Sequence, residues 1–285
     1  MPKVLQRLLV FFIGIPVVIA IILPKFYYHL PLHLLIITFS FLASLELSNM
    51  LSKKGKTFPK AITTVLSISL PVVTYLCIYF KLDYVLVELT LAFDVLLIFA
   101  IEIFANKEFS DSNTKIANAI FTIVYSGFLP TFISRLTRFN HSVEVICLFV
   151  MLVFISDSAA WFFGMLFGKN NRGIVAASPN KSIAGFIGAF IGSILIAVLL
   201  KFVFWKDIFG SNGLVRLIIL AICVTITSII GDLAESVFKR SSECKDSGNI
   251  ILGRGGALDS IDSILASAPF YYIILKYIFD LTEKF

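Results

Sequence analysis

SIAGFIGAFIGSILIAVLLKFVFW, residues 182–205, carries one charged side chain, Lys201. A bilayer's hydrocarbon core takes about 20 mostly apolar residues as a helix, so this run is long enough to span. Comparable windows recur outward from it, separated by charged or Pro/Gly/Asn punctuation, near 4–23, 28–51, 61–80, 84–104, 116–137, 143–168, 214–238 and 258–280. The reading is an all-α, polytopic transmembrane helical bundle of about nine spans. Its 285 residues are 58% hydrophobic and 15% charged, with a mean hydropathy of +0.95, which leaves no room for a sizeable soluble domain. The first run, Val4 to Leu23, is followed by Pro24, Lys25, Phe26 and Tyr27 rather than a small-residue cleavage pattern, so it is expected to be a retained span.

Charge is distributed by side. The N-terminus and the even-numbered loops hold fifteen of the 24 Lys and Arg residues, among them Lys53, Lys54, Lys56, Lys60, Lys181, Lys239, Arg240, Lys245 and Arg254. Positive loops face the cytoplasm, which places the N-terminus and both polar loops discussed below on that side. The net charge of +6 follows from this topology, and no nucleic-acid-binding fold signature accompanies it. Cys77, Cys147, Cys223 and Cys244 have no CxxC spacing, so neither a disulfide framework nor a zinc site is expected. No internal repeat is visible, which speaks against an inverted-repeat transporter.

Two regions of one membrane unit differ in character. Residues 1–140 are apolar spans whose exceptions are Glu46, Glu88, Asp94 and Glu102. In 141–285, polar groups enter the spans themselves and the loops between them. An ionisable group in lipid costs about 3 kcal/mol or more, so its presence there points to function.

The densest chemistry is GDLAESVFKRSSECKDSGNIILGRGGALDSIDS, Gly231 to Ser263. On a helix, Ser228, Asp232, Glu235, Ser236 and Lys239 form a polar stripe that must face protein or water. Asp246 follows Lys245 in a loop, and Asp259 and Asp262 share one face at the start of the last helix. Hard cations take oxygen ligands, commonly one or two carboxylates plus substrate phosphates. Asp232, Asp246, Asp259 and Asp262 beside Lys239, Arg240, Lys245 and Arg254 therefore suit a metal-bridged polyphosphate. Gly248, Gly253, Gly255 and Gly256 would let backbone approach phosphate, with amides of the last helix adding dipole charge.

A second segment, SDSAAWFFGMLFGKNNRGIVAASPNKSIAGFIG from Ser156 to Gly188, lies on the same expected side. Asp157 sits among apolar residues, and Ser178-Pro179-Asn180-Lys181-Ser182 is a turn opening the next helix, with Ser178 or Ser182 as its cap. Lys181 either meets phosphate or is an ordinary surface lysine. Gly185, Gly188 and Gly192 permit close helix packing, inside the chain or in a homodimer.

These segments resemble the phosphatidate cytidylyltransferase (CDP-diacylglycerol synthase) family. Ser236, Lys239, Arg240, Lys245, Asp246, Gly248, Gly255, Gly256, Asp259 and Asp262 match its signature, and Asp157, Phe163, Gly164, Phe167, Gly168, Ser178 and Pro179 are similar to its upstream pattern. The resemblance covers the C-terminal half. Leu252, Arg254 and Ser260 stand where Pro, His and Arg are expected, and Ile183 and Ala184 depart from the upstream turn.

The resemblance implies a lipid substrate, phosphatidate, held in the membrane, CTP as the second substrate and Mg2+ as cofactor, with room for a second cation. The expected metal ligands are Asp232 and Asp246, joined by Asp259. The expected catalytic groups are Lys245, Asp246, Asp259 and Asp262. Substrate contacts are expected from Ser178, Lys181, Ser236, Lys239, Arg240, Arg254, Gly255 and Gly256. Which aspartate takes which role stays open at this level. The rival readings are a CTP-dependent kinase of a polyprenol-type lipid alcohol and, from another class, a transporter. His29, His33 and His141 lie far from both segments and are read as interfacial.

Overall fold

The computed structural model describes residues 13–203, 209, 213–251 and 255–284. Arg254, Leu252 and Gly253 lie outside these residues, as do residues 4–12 of the first expected span. Among the described residues, ten α-helices follow one another: α1 Ile15–Ile22, α2 Leu30–Leu51, α3 Lys60–Tyr79, α4 Val85–Ala105, α5 Ser112–Thr122, α6 Leu129–Arg135, α7 Ser142–Phe167, α8 Ile183–Val203, α9 Gly213–Ser241 and α10 Leu258–Ile273. Pairing outside helices is limited to isolated bridges among the described residues.

Among the described residues, seven helical stretches are long and apolar enough to cross a membrane: Leu30–Leu51, Lys60–Tyr79, Ser112–Arg138, Ser142–Phe167, Ile183–Phe202, Gly213–Ser241 and Leu258–Ile278. The chain is a polytopic helical membrane protein. α4 has the length expected of it, but Glu88, Asp94 and Glu102 are spread along it, so that any stretch of it long enough to span carries all three acids. Two of its acids are paired inside the protein: Ser69 donates to Asp94, and Asn106, Ser112 and Lys115 donate to Glu102.

The expected span at 116–137 is one rod with an irregular middle. α5 and α6 are joined by a π-helical segment, Ile123–Phe128, immediately before Pro130. Proline lacks an amide donor and its ring clashes with the carbonyl one turn back, and a wider turn accommodates both. In this segment a Cβ on Gly127 would lie 2.8 Å from the Ser67 Cα, so glycine is what lets the rod approach α3. Ser40 donates to the Ser126 carbonyl at 2.6 Å, and Ser126 to the Thr122 carbonyl.

The described residues fall into two compact units. The first contains the helices up to Arg138 together with Phe238–Ile261, and so includes the end of α9, the glycine-rich loop and the first turn of α10. The second is Phe139–Val237 with Asp262–Lys284. In the second, α7 lies on α8 through the glycine stripe: Cβ atoms on Gly188 and Gly192 would come within 2.5 Å of the Phe163 and Ala159 Cβ atoms. These glycines are therefore used inside the chain. His29 and His33 are buried at the α1–α2 turn, bonded to the Ile22 and Tyr28 carbonyls, whereas His141 is exposed. All four cysteines are free thiols.

Candidate functional site

The first unit presents the loop that follows α9. Lys239 and Arg240 occupy the last turn of α9, and the chain leaves it through a left-handed residue, Glu243, at φ 53°. Cys244 N–H donates to the Lys239 carbonyl at 2.9 Å and Glu243 N–H to the Arg240 carbonyl at 3.1 Å. This paired 6→1 and 5→2 pattern satisfies carbonyls the helix end would otherwise leave open, and it delivers Lys245 and Asp246 directly after the turn. Lys54 donates to Glu243, and this bond with the neighbouring charge holds the exposed Glu243 carboxyl below its usual range.

Asp259, one residue into α10, ties the loop together. Its Oδ1 accepts from Lys239 at 2.6 Å, with the two side chains 15% and 6% exposed, so water screens the pair little. Its Oδ2 accepts from the Ser247 amide at 2.8 Å, the Ser247 hydroxyl at 2.9 Å and the Gly256 amide at 2.8 Å. Ionised carboxylates offer about four lone-pair sites, and Asp259 uses them within the loop. Ile251 and Gly255 exchange both backbone bonds. Gly255 sits at φ +110°, where a Cβ would lie 2.6 Å from Asp259 Oδ2 and 3.1 Å from the Asp246 Cβ. Lys245, Asp246 and Arg240 are exposed, and Asp246 has no hydrogen-bond partner among the described residues.

The second unit holds the other expected residues. The α9 stripe faces protein: Ser228 and Glu235 are buried, and Asp232 and Ser236 are half-buried. Ser228 donates to Asp157 Oδ1 at 3.5 Å, and Ser263 donates to the Ser228 carbonyl at 3.3 Å. Asp262 is buried, with its carbonyl 2.8 Å from where a Cβ on Gly231 would stand. Lys181 forms an ion pair with Asp232, both side chains 28% exposed. Lys181 reaches it from a loop closed by Gly173 N–H donating to the Pro179 carbonyl and Ile183 N–H to the Asn171 carbonyl. Ser182 is the cap of α8, accepting from the Gly185 amide at 3.1 Å, and half-buried Ser178 is a turn residue whose carbonyl accepts from the Lys181 amide.

The first unit thus carries the Lys239–Asp259 pair in a glycine-rich loop and the second the Lys181–Asp232 pair. The sequence matches the cytidylyltransferase family over residues 5–278. The chain belongs to this family. It is 37% identical to the phosphatidate cytidylyltransferase of Haemophilus influenzae over 131 residues, 46% of this chain and 45% of the relative. It is 40% identical to that of Staphylococcus haemolyticus over 125 residues, 44% and 46% of the two chains. The protein of the same name from Thermotoga maritima is 36% identical over 165 residues, 57% and 60%. The chain spans about half the length of the curated relatives it matches.

In this family member, a residue missing from the expected set is central to the loop. Glu46 of α2 is 4% exposed and accepts hydrogen bonds from Ser247, Ala257 and Leu258. The amides opening α10 therefore meet Glu46 and Asp259. The signal in the sequence was an acid inside an apolar span, but nothing local linked it to a loop about two hundred positions later.

Among the described residues, no three His, Cys, Asp or Glu side chains converge as a protein-only metal cage. Mg2+ does not require one, since it is bound by one or two carboxylates with water and substrate phosphate. The free carboxylate of Asp246 and the half-buried one of Asp232 are oxygen donors of the kind it takes.

Proposed function

We propose that this chain is a membrane cytidylyltransferase that converts phosphatidate and CTP to CDP-diacylglycerol and pyrophosphate in phospholipid biosynthesis. The observation that carries the proposal is the family match along nearly the whole chain, with the Lys-Arg, Lys-Asp and paired-Asp frame of the loop intact. In this reaction a phosphatidate phosphate oxygen bonds to the α-phosphorus of CTP. The bond from that phosphorus to the oxygen bridging toward the β-phosphate breaks, and pyrophosphate leaves with the electron pair. A phosphomonoester has a second pKa of about 6, so the nucleophile is largely ionised at neutral pH and no strong base is required. Positioning and charge neutralisation carry the rate.

Lys239, Arg240 and Lys245 are the proposed phosphate clamp. Asp246 in the loop and Asp232 in the α9 stripe are the proposed metal ligands. Mg2+ held by such a carboxylate would neutralise charge on the nucleotide phosphates. Asp259, bonded on both oxygens, fixes the loop, and buried Asp262 orients its neighbours. Ser178, Lys181, Ser236, Arg254, Gly255 and Gly256 are the proposed further substrate contacts. The reactive face is cytoplasmic, in the inner membrane if the source is bacterial, where CTP is available. A homodimer would use a surface other than the glycine stripe.

In mixed micelles of phosphatidate with CTP and Mg2+, purified protein should release pyrophosphate and form CDP-diacylglycerol in equal amounts, and EDTA should stop both. Pyrophosphate release without the liponucleotide would refute the proposal. So would CDP accumulation with a phosphorylated lipid alcohol, or solute flux across proteoliposomes without CTP turnover.

A further inference from the structure

Glu46 lies in ASLELSNML, where Ala43, Leu47 and Met50 are also buried. A carboxylate so placed is costly unless it is fully bonded, and among the described residues every donor it meets comes from the loop or from the start of α10. Oε1 accepts from the Ala257 amide at 2.9 Å and Oε2 from the Leu258 amide at 2.9 Å, while the Ser247 hydroxyl, 2.8 Å from Oε2, shares its one proton between Glu46 and Asp259. Two motif glycines close around it. A Cβ on Gly248 would collide with Oε1, and one on Gly256 with Oε2 and the Ser247 hydroxyl. The carboxylate thus sits between the limb Ser247–Gly248 and the limb Gly256–Leu258, immediately beside the shared Ser247 contact to Asp259. Ser247 follows Asp246 directly, so whatever fixes Ser247 fixes the backbone that carries Asp246.

We infer that Glu46 is a positioning residue for the phosphate-handling loop, a carboxylate from the N-terminal spans that clamps both limbs and holds Asp246 in its working place. The inference rests on the function proposed above for that loop. It also gives Gly248 and Gly256 a reason independent of substrate: the space they leave is filled by Glu46.

The test uses the full-length protein in detergent with Glu46→Gln, which keeps the size but presents an amide donor to one of the two backbone donors. Amide hydrogen exchange over Ser247–Leu258 should accelerate by about tenfold or more, the loss expected when a charge-assisted bond is broken, while exchange in α3 and α8 stays at the native rate. Turnover should show kcat lowered by about tenfold or more with KM for CTP within about twofold, the pattern of lost transition-state geometry rather than lost binding. If Glu46→Gln does not fold, Ser247→Ala decides by the same readouts, with a smaller acceleration confined to the same segment. Unchanged exchange over Ser247–Leu258 would overturn the inference, as would acceleration spread evenly over all helices. If the native protein transfers no cytidylyl group, the reading of the reaction fails and the exchange arm alone decides the role of Glu46.

Discussion

Gly255 turns the backbone through φ +110° with Asp259 Oδ2 and the Asp246 Cβ both close to where a side chain would begin. An L-residue there meets both backbone strain and a carboxylate, so Gly255→Ala should lower stability by about 1–3 kcal/mol, measured by thermal or denaturant unfolding in detergent. Asp246 is the opposite case, exposed and unbonded among the described residues. Asp246→Asn should shift stability by less than about 0.5 kcal/mol while turnover falls below detection. Near-native turnover would remove its metal role. Lys239, Asp246 and Asp259 were legible because their chemistry lies within one short stretch. Glu46 was not, since its partners are set by the tertiary fold and no spacing rule joins α2 to the loop.

Helix ends were read within a few residues for most spans, because apolar runs and charged punctuation mark where a bilayer-length helix must begin and stop. The π-helical turn before Pro130 was not legible: the sequence shows the proline, while the accommodation depends on how closely Gly127 lies against Ser67. The glycine stripe of α8 was legible as a packing face, with its partner undecided between the chain itself and a second copy. Its seat on Phe163 and Ala159 makes it a sensitive joint. Gly192→Leu should cost about 1–3 kcal/mol by overpacking, read as a lower unfolding midpoint for the purified protein. An unchanged midpoint would mean that α7 and α8 are not joined there.

At the scale of the molecule, membrane class and family follow from signals spread over hundreds of residues, which is why the sequence carried them well. Orientation rests on the bias of Lys and Arg between alternate loops. With the four native cysteines replaced by Ala, Lys56→Cys should resist a membrane-impermeant maleimide in intact cells and react once the membrane is opened. Labelling of intact cells would reverse the assigned topology. The most direct measurement follows the α-phosphorus: protein incubated with phosphatidate, Mg2+ and α-labelled CTP should move the label into the lipid phase as CDP-diacylglycerol. Label retained in CDP or unreacted CTP, with none in lipid, would contradict cytidylyl transfer.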